Sequence, residues 1–149
     1  MLILAMGAAT FLLDLASKKA VRALMTPQQS IPIVPNVFHL TYVLNPGAAF
    51  GLLAYKRTYF IIVTVAVIAF ILLYGKRLAG KSIALQLSLG LVLGGAIGNL
   101  VDRVIIGMVT DFLDLRIWPV FNLADSALVI GVALFAVDAL FGGGAVFRK

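Results

Sequence analysis

The chain has 149 residues, of which 62% are hydrophobic and only 12% are charged, and its mean hydropathy is +1.11. A soluble domain of this size would need many more charged surface residues, so we predict an α-helical membrane protein with one domain over residues 1–149. The net charge of +6 comes from basic residues that flank apolar runs, which predicts contacts with lipid head groups and no nucleic-acid partner. The absence of cysteine excludes disulfides, thiolate catalysis and cysteine-ligated metal sites.

Four apolar segments predict helices that cross a bilayer, which takes about 20 residues each. They cover residues 2–24, 59–75, 82–101 and 119–141. The first segment has no basic region at its start and no small-residue cleavage site, so we interpret it as a retained helix. A short basic loop over residues 75–81 is predicted to join the second and third helices.

Residues 26–57 have a different composition, with β-branched and aromatic residues and breaking prolines. This pattern predicts short strands that form a lobe at the membrane surface. The only histidine of the chain, His39, is expected to be a polar surface residue of this lobe. Four spans place both chain ends on one side, and the density of basic residues predicts that this side is the cytoplasm. The strand-rich lobe then lies on the outer face.

The stretch from Val109 to Ser126 concentrates polar residues in an otherwise apolar chain: it holds three of the six acidic residues, all of which are aspartates. A carboxylate inside a membrane costs roughly 2.5–3.5 kcal/mol, so such a cluster indicates function. Pro119 is predicted to open the fourth helix, which places Asp125 about 9 Å further along it. Asn122 lies three residues earlier on the same face and could hold Asp125 by hydrogen bonding.

Three glycines recur at every fourth position of the third helix, which favours close packing of another helix: Gly90, Gly94 and Gly98. At the outer end of this helix, the spacing places Asn99 beside both Asp102 and Arg103. In the first helix, Asp14 and Lys18 have the spacing of an ion pair.

These residues allow only a few kinds of catalytic site. One histidine far from the polar cluster makes a zinc site or a Ser-His pair a poor candidate. Oxygen ligands for Mg²⁺ or Ca²⁺ exist, but their spacing matches no known metal loop, so we expect neither a metal nor a cofactor. A carboxylate pair that shares one proton remains, as in aspartic proteases. Residue spacing alone leaves three partners open for Asp125: Asp102, Asp111 and Asp114. Asp102 has Arg103 as a ready ion-pair partner, and Asp114 is interpreted as an exposed loop charge.

Five blocks follow in order along the chain: residues 14–18 (DLASK), 45–50 (NPGAAF), 94–103 (GGAIGNLVDR), 109–112 (VTDF) and 121–126 (FNLADS). Together they resemble bacterial lipoprotein signal peptidase, also called signal peptidase II or prolipoprotein signal peptidase. Two positions depart from the pattern of that family, where Leu15 replaces a common glutamine and Pro46 a common threonine.

The resemblance implies an aspartic endopeptidase of the bacterial cytoplasmic membrane. Such an enzyme removes the signal peptide from diacylglyceryl-modified prolipoproteins just before the lipidated cysteine. Its partners would be these substrates, membrane lipids and globomycin-type inhibitors, and it would act as a monomer. The implied catalytic pair is Asp111 and Asp125. The implied substrate-binding or supporting residues are Asp14, Lys18, Asn45, Gly47, Asn99, Asp102, Arg103, Asn122 and Ala124.

Two other classes of function use the same residues. A small proton- or cation-coupled carrier would bind its cation at intramembrane aspartates. However, the polar residues cluster at one face and the chain shows no inverted repeat, which argues against a carrier. A non-catalytic assembly factor would leave Asp111 and Asp125 dispensable.

Overall fold

The computed structural model describes residues 1–47, 56–80 and 82–141. Within these residues the chain forms helices and strands in the order α1 (Leu2–Leu24), β1 (Ser30–Val34), β2 (Phe38–Asn45), α2 (Arg57–Ala79), α3 (Ile83–Ile105), β3 (Val109–Asp114) and α4 (Leu123–Phe141). The four predicted helices are therefore present, and the region predicted to form short strands contains β1 and β2. Residues 48–55 of the predicted lobe, which include Ala48 to Phe50 of the second sequence block, lie outside the described residues, as does Lys81 of the predicted basic loop.

Helix α3 is the centre of the bundle, because α1, α2 and α4 all pack against it. Its small residues allow this close packing. A methyl group at Gly94 would lie 2.5 Å from the Gly7 carbonyl oxygen of α1. On the opposite side, a methyl group at Gly95 would lie 2.6 Å from the Ala124 carbonyl oxygen of α4. The backbones of α1 and α4 thus approach α3 closely from two sides, and the close helix packing predicted from the glycine spacing is made with α1.

The three strands form one antiparallel sheet in the order β1-β2-β3. The third strand comes from between α3 and α4, a region that the sequence did not predict as a strand. In its register with β2, Asn45 is opposite Val109 and Val43 is opposite Asp111. The sheet therefore joins the predicted lobe to the aspartate-rich stretch, and it fixes the backbone of Asp111.

The prediction that Pro119 opens the fourth helix is wrong, since α4 begins at Leu123. Phe121 instead pairs with Leu113, and backbone hydrogen bonds of 2.7 and 3.0 Å join them. Residues 119–121 therefore return in an extended conformation beside β3. As a result Asp125 lies in the first turn of α4, about one helical turn less deep than its predicted position.

The loop predicted over residues 75–81 is also wrong in extent, because α2 continues to Ala79. Lys76 and Arg77 occupy the last turn of α2, where positive charges interact favourably with the helix dipole. Ser82 then caps α3, since its hydroxyl accepts a hydrogen bond of 3.2 Å from the Leu85 N–H. Three residues therefore separate the last residue of α2 from the first residue of α3.

Three helices in the described part of the chain are long and apolar enough to cross a membrane, namely α2, α3 and α4. Helix α1 has the same 23-residue length as α2 but carries four charged residues in its second half. Many large apolar side chains of α2 and α4 are exposed, including Ile62, Leu73, Val129 and Leu140. The protein is therefore mostly helical, with an apolar outer surface and a small sheet at one end.

Candidate active site

A cavity of about 440 Å³ lies between α2, α3, α4 and β3. Its lining is mostly apolar, but two carboxylates reach it from different elements: Asp111 from β3 and Asp125 from α4. Asn45, Asn99 and Arg103 are the other strongly polar side chains that line it. Only the resemblance selected Asp111 as the partner of Asp125, and these are the two aspartates that line the cavity.

Asp125 is held by the way in which α4 begins. Asn122 is the capping residue, and its side-chain oxygen accepts a hydrogen bond of 2.8 Å from the Asp125 N–H. In return, an Asp125 oxygen accepts a longer bond of 3.3 Å from the Asn122 N–H, which completes a reciprocal cap. The other Asp125 oxygen accepts a bond of 2.7 Å from the Asn99 amide of α3. A negative charge at this position is stabilised by the helix dipole.

Asp111 is almost completely buried, with 1% of its surface exposed. One of its oxygens accepts a hydrogen bond of 2.7 Å from the Asn122 amide, and the other accepts one of 2.9 Å from the Asn45 amide. Burial, together with the charge of Asp125, raises the pKa of Asp111 to about 7, against the opposing effect of the two amides. This carboxyl group can therefore carry a proton near neutral pH.

Three side-chain amides donate to the two carboxylates: Asn45, Asn99 and Asn122. Each amide is oriented by a donor to its own oxygen. The Gly47 N–H donates to Asn45 at 3.0 Å, and the Lys18 ammonium donates to Asn99 at 3.0 Å. The Asp125 N–H does the same for Asn122. Because each amide oxygen accepts a hydrogen bond in this way, each NH₂ group faces a carboxylate.

Behind these amides lies a buried network of charges. The Lys18 ammonium is 2.8 Å from an Asp14 oxygen and 3.4 Å from an Asp102 oxygen. Arg22 approaches Asp102 at 3.0 Å. The predicted pair of Asp14 and Lys18 is therefore present, whereas the predicted pairing of Asp102 with Arg103 is wrong. The first helix brings Lys18 and Arg22 to Asp102 from across the bundle, which the local spacing could not indicate.

Asp14 also connects α1 to the start of α4. Its second oxygen accepts a hydrogen bond of 2.9 Å from the Ala124 N–H. Ala124 is fully buried, and Gly98 leaves no room for a larger side chain beside Asp14. Asp14 thus satisfies a helix-start N–H that has no partner within α4. Through this bond, α1 fixes the turn that carries Asp125.

Thr110 and Arg22 were not identified from the sequence. Thr110 is fully buried next to Asp111, and its N–H donates to an Asp102 oxygen at 2.9 Å. Its hydroxyl accepts a bond of 2.9 Å from the Arg22 guanidinium, and its carbonyl accepts one of 3.3 Å from Asn122. The spacing of four from Asp14 to Lys18 to Arg22 was a signal for Arg22, since it places all three on one helix face.

Arg103 is half-buried at the edge of the cavity. Its guanidinium lies 4.6 Å from the centre of the Phe60 ring and donates a long hydrogen bond of 3.4 Å to the Gly47 carbonyl. It therefore links α2, α3 and the end of the lobe. Both Arg103 and Gly47 line the cavity, so they lie beside the two carboxylates.

Asp114 does not reach the cavity, and its interpretation as an exposed loop charge is wrong. It is the last residue of β3 and is buried. Its oxygens accept hydrogen bonds of 2.7 Å from the Thr41 hydroxyl, 2.8 Å from the Arg116 N–H and 3.0 Å from the Arg116 guanidinium. Burial acts to raise the pKa of Asp114, but these partners outweigh it and hold the pKa below its usual value.

The residues outside this arrangement have other partners. His39 lies in the sheet within 3.2 Å of Ser30, as expected for a residue of the lobe. Asp138 accepts a bond of 3.0 Å from Ser82 at the opposite end of α4. No group of three or more histidine or acidic side chains in the described ranges is arranged to hold a metal ion.

The chain is similar to known proteins of one family. The family described as Signal peptidase (SPase) II matches residues 6–141. The chain is 54% identical over 129 residues to the lipoprotein signal peptidase of Pelotomaculum thermopropionicum, which covers 87% of this chain and 85% of that protein. It is 51% identical over 137 residues to the lipoprotein signal peptidase of Moorella thermoacetica, which covers 92% and 91%.

A solved bacterial membrane enzyme is also similar in structure. It superimposes with a TM-score of 0.88 at 30% identity, over 99% of this chain and 92% of that chain. The family match covers nearly all of the sequence, and the two relatives share about half of their residues with it. The chain therefore belongs to the signal peptidase II family of bacterial membrane proteases.

Proposed function

We propose that this protein is an aspartic endopeptidase that removes the signal peptide from diacylglyceryl-modified prolipoproteins immediately before the lipidated cysteine. The observation that carries the proposal is the pair of carboxylates in one cavity, each held by side-chain amides. Because burial and the charge of Asp125 raise the pKa of Asp111 to about 7, the two groups suit opposite roles near neutral pH.

In this mechanism Asp111 is the acid and Asp125 the base. The Asp111 proton passes to the oxygen of the scissile carbonyl while Asp125 takes a proton from water, whose oxygen bonds to the carbonyl carbon. The resulting diol collapses when the C–N bond breaks. The leaving nitrogen then receives the proton from Asp125, and Asp111 regains its proton from the diol. Both carboxyl groups return to their starting states.

The residues around the pair have two proposed roles. Asn45, Gly47 and Arg103 lie where the lobe meets the cavity, so they are suited to contact the substrate backbone. The others hold the pair in place: Asn99 and Asn122 donate to the carboxylates, and Asp14, Lys18, Asp102 and Ala124 fix those amides and the start of α4.

The proposed setting is a monomer of one domain, residues 1–149, with four spans in the bacterial cytoplasmic membrane. Helix α1 can be the fourth span because Asp14 and Lys18 face the protein interior. Both termini would be cytoplasmic, with the cavity towards the outer face. Helices α2 and α4 pack against α3 without an extended interface with each other. This leaves a groove for the signal helix, and the acyl chains would lie between helices.

The proposal is tested with purified protein and a precursor whose cysteine carries diacylglycerol, followed by the size shift on cleavage. We expect cleavage by the unchanged protein and inhibition by globomycin-type cyclic peptides. Asp111→Asn and Asp125→Asn should each lower the rate of cleavage by about 10²–10⁴-fold, because each change removes one proton-transfer group without changing the size of the side chain. Asp138→Asn is the matched control, since Asp138 hydrogen-bonds Ser82 at the far end of α4, and it should cleave normally.

Normal cleavage by either active-site variant would contradict the proposal. A cation-coupled carrier would instead show no cleavage, and reconstituted vesicles would show a proton or cation flux that depends on the same aspartates. The clustering of both carboxylates at one end of the bundle disfavours that alternative.

A further inference from the structure

The connection between β3 and the extended return has an unusual surface, and we call its residues 115–118 the return tip. Ile117 is 91% exposed and Trp118 is 57% exposed, and Leu115 is also exposed. A large apolar side chain is more stable in an apolar environment than in water. Three such side chains within four residues therefore favour a partner that is apolar.

The return tip is held in one conformation. Arg116 has a φ of 66°, in the left-handed region that is unfavourable for a residue with a side chain. Asp114 compensates, because it accepts the Arg116 N–H at 2.8 Å and the Arg116 guanidinium at 3.0 Å. The exposure of Ile117 and Trp118 is thus a consequence of a stabilised turn.

The position of the return tip identifies the partner. It precedes α4, one of the helices that are apolar enough to cross a membrane, by only a few residues. Trp118 also lines the cavity together with Val129, an exposed residue of α4. The tip therefore lies at the end of the spanning helices, where the hydrocarbon meets the head groups.

The composition of the tip matches this boundary. Tryptophan is enriched at the level of the head groups, where its ring is apolar and its N–H is polar. A half-exposed arginine can reach lipid phosphates while its stem remains in the apolar layer. We propose that the return tip inserts into the head-group layer of the bilayer and so fixes the depth of β3 and of Asp111. This anchoring is separate from the peptidase chemistry.

The experiment uses the full chain in phosphatidylcholine–phosphatidylglycerol vesicles. Trp118 is the only tryptophan, so its intrinsic fluorescence reports on the tip without any substitution. Lipids with bromine atoms at shallow or deep positions along the acyl chain, and acrylamide in the water, are compared as quenchers. We expect the strongest quenching of Trp118 by the shallow lipid label.

A depth reference is Phe70→Trp combined with Trp118→Phe. Phe70 is exposed on α2 about 20 Å along the helix from Arg57, so this tryptophan should respond most to the deep label. Quenching of Trp118 by acrylamide alone, or most strongly by the deep label, would overturn the proposal.

A second variant tests the tip itself. Ile117→Asp should reduce shallow-label quenching of Trp118, shift its emission to the red and increase acrylamide quenching, because a carboxylate opposes insertion. Ile33→Asp, at an exposed position of β1, is the matched control and should leave the Trp118 signal unchanged. Equal effects of the two variants, or no effect of Ile117→Asp, would also contradict anchoring by the tip.

Discussion

Asp111 and Asp114 lie three residues apart on the same strand, yet their surroundings differ in almost every respect. Both are buried. Asp111 faces the cavity with Asp125, and its side chain accepts hydrogen bonds from the neutral amides of Asn45 and Asn122. Asp114 is at the opposite end of β3, where its partners include the Arg116 guanidinium. The pKa of Asp111 rises to about 7, whereas that of Asp114 is lowered.

The difference shows that burial alone does not give a carboxylate an acid–base role. Burial acts to raise the pKa of both groups, but Asp111 has the carboxylate of Asp125 nearby, whereas Asp114 forms an ion pair with Arg116. Because successive side chains of a strand point to opposite faces, an odd separation along β3 sends the two aspartates in different directions. One strand therefore supplies both a candidate catalytic group and a structural one.

The largest expected effect is a difference in cleavage rate between variants of these two aspartates. Asp111→Asn should lower the rate of precursor cleavage by about 10²–10⁴-fold, since it removes a general acid. Asp114→Asn should retain nearly the normal rate, because its side chain does not line the cavity. The rates are measured with purified variants and one lipidated precursor. A loss of similar size in both variants would contradict the comparison.

The second prediction concerns pH. If Asp111 acts as the acid, kcat should fall as the pH rises through about 7, where this group loses its proton. The hydrogen bond from Asn45 lowers the pKa of Asp111 by stabilising the ionised form. Asn45→Ala should therefore shift this fall to higher pH. The profile of kcat is measured rather than KM, because Asn45 is also a proposed substrate contact.

Asp114→Asn provides the control for this profile, which it should leave unchanged. A fall in kcat that moves to lower pH in Asn45→Ala, or that does not occur at all, would be inconsistent with Asp111 as the acid.

The smallest expected effect concerns the hydroxyl of Thr110, the residue that precedes Asp111 in β3. Thr110→Val removes the acceptor of the Arg22 hydrogen bond and leaves a charged donor without that partner. We expect kcat to fall about tenfold, equivalent to about 1.4 kcal/mol, and the pH profile to shift. Thr110→Ser keeps the hydroxyl, so its kcat and its pH profile should be close to those of the unchanged protein. If Thr110→Ser behaves like Thr110→Val, the hydroxyl has no positioning role.

Much of the fold could be predicted from local sequence. The apolar runs predicted the four helices, and the β-branched and aromatic residues of the lobe predicted short strands, although not their number. The pair of Asp14 and Lys18 followed from helical spacing. The start of α4 was wrong because Pro119 is an ordinary helix-opening signal, and only pairing of Phe121 with Leu113 prevents the helix from beginning there.

The candidate site could be predicted only in part. The sequence singled out Asp125 and its neighbour Asn122, whereas Asp111 followed from family resemblance. For Asp102 the sequence predicted an ion pair with Arg103, but its partners are Lys18 and Arg22. Thr110 and Arg22 were missed, since their hydrogen bond joins positions 88 residues apart in the sequence. No local pattern reports such a contact.

The sequence by itself determined that the protein is helical and apolar, because hydrophobic runs and helical spacing act over a few neighbouring residues. It also indicated that the clustered aspartates have a function, because carboxylates are energetically unfavourable in a membrane. Only the tertiary structure decided which aspartates share a cavity and which are paired with cations. A carboxylate responds to the burial and charge around it, and here these come from α1, α3, α4 and the sheet together.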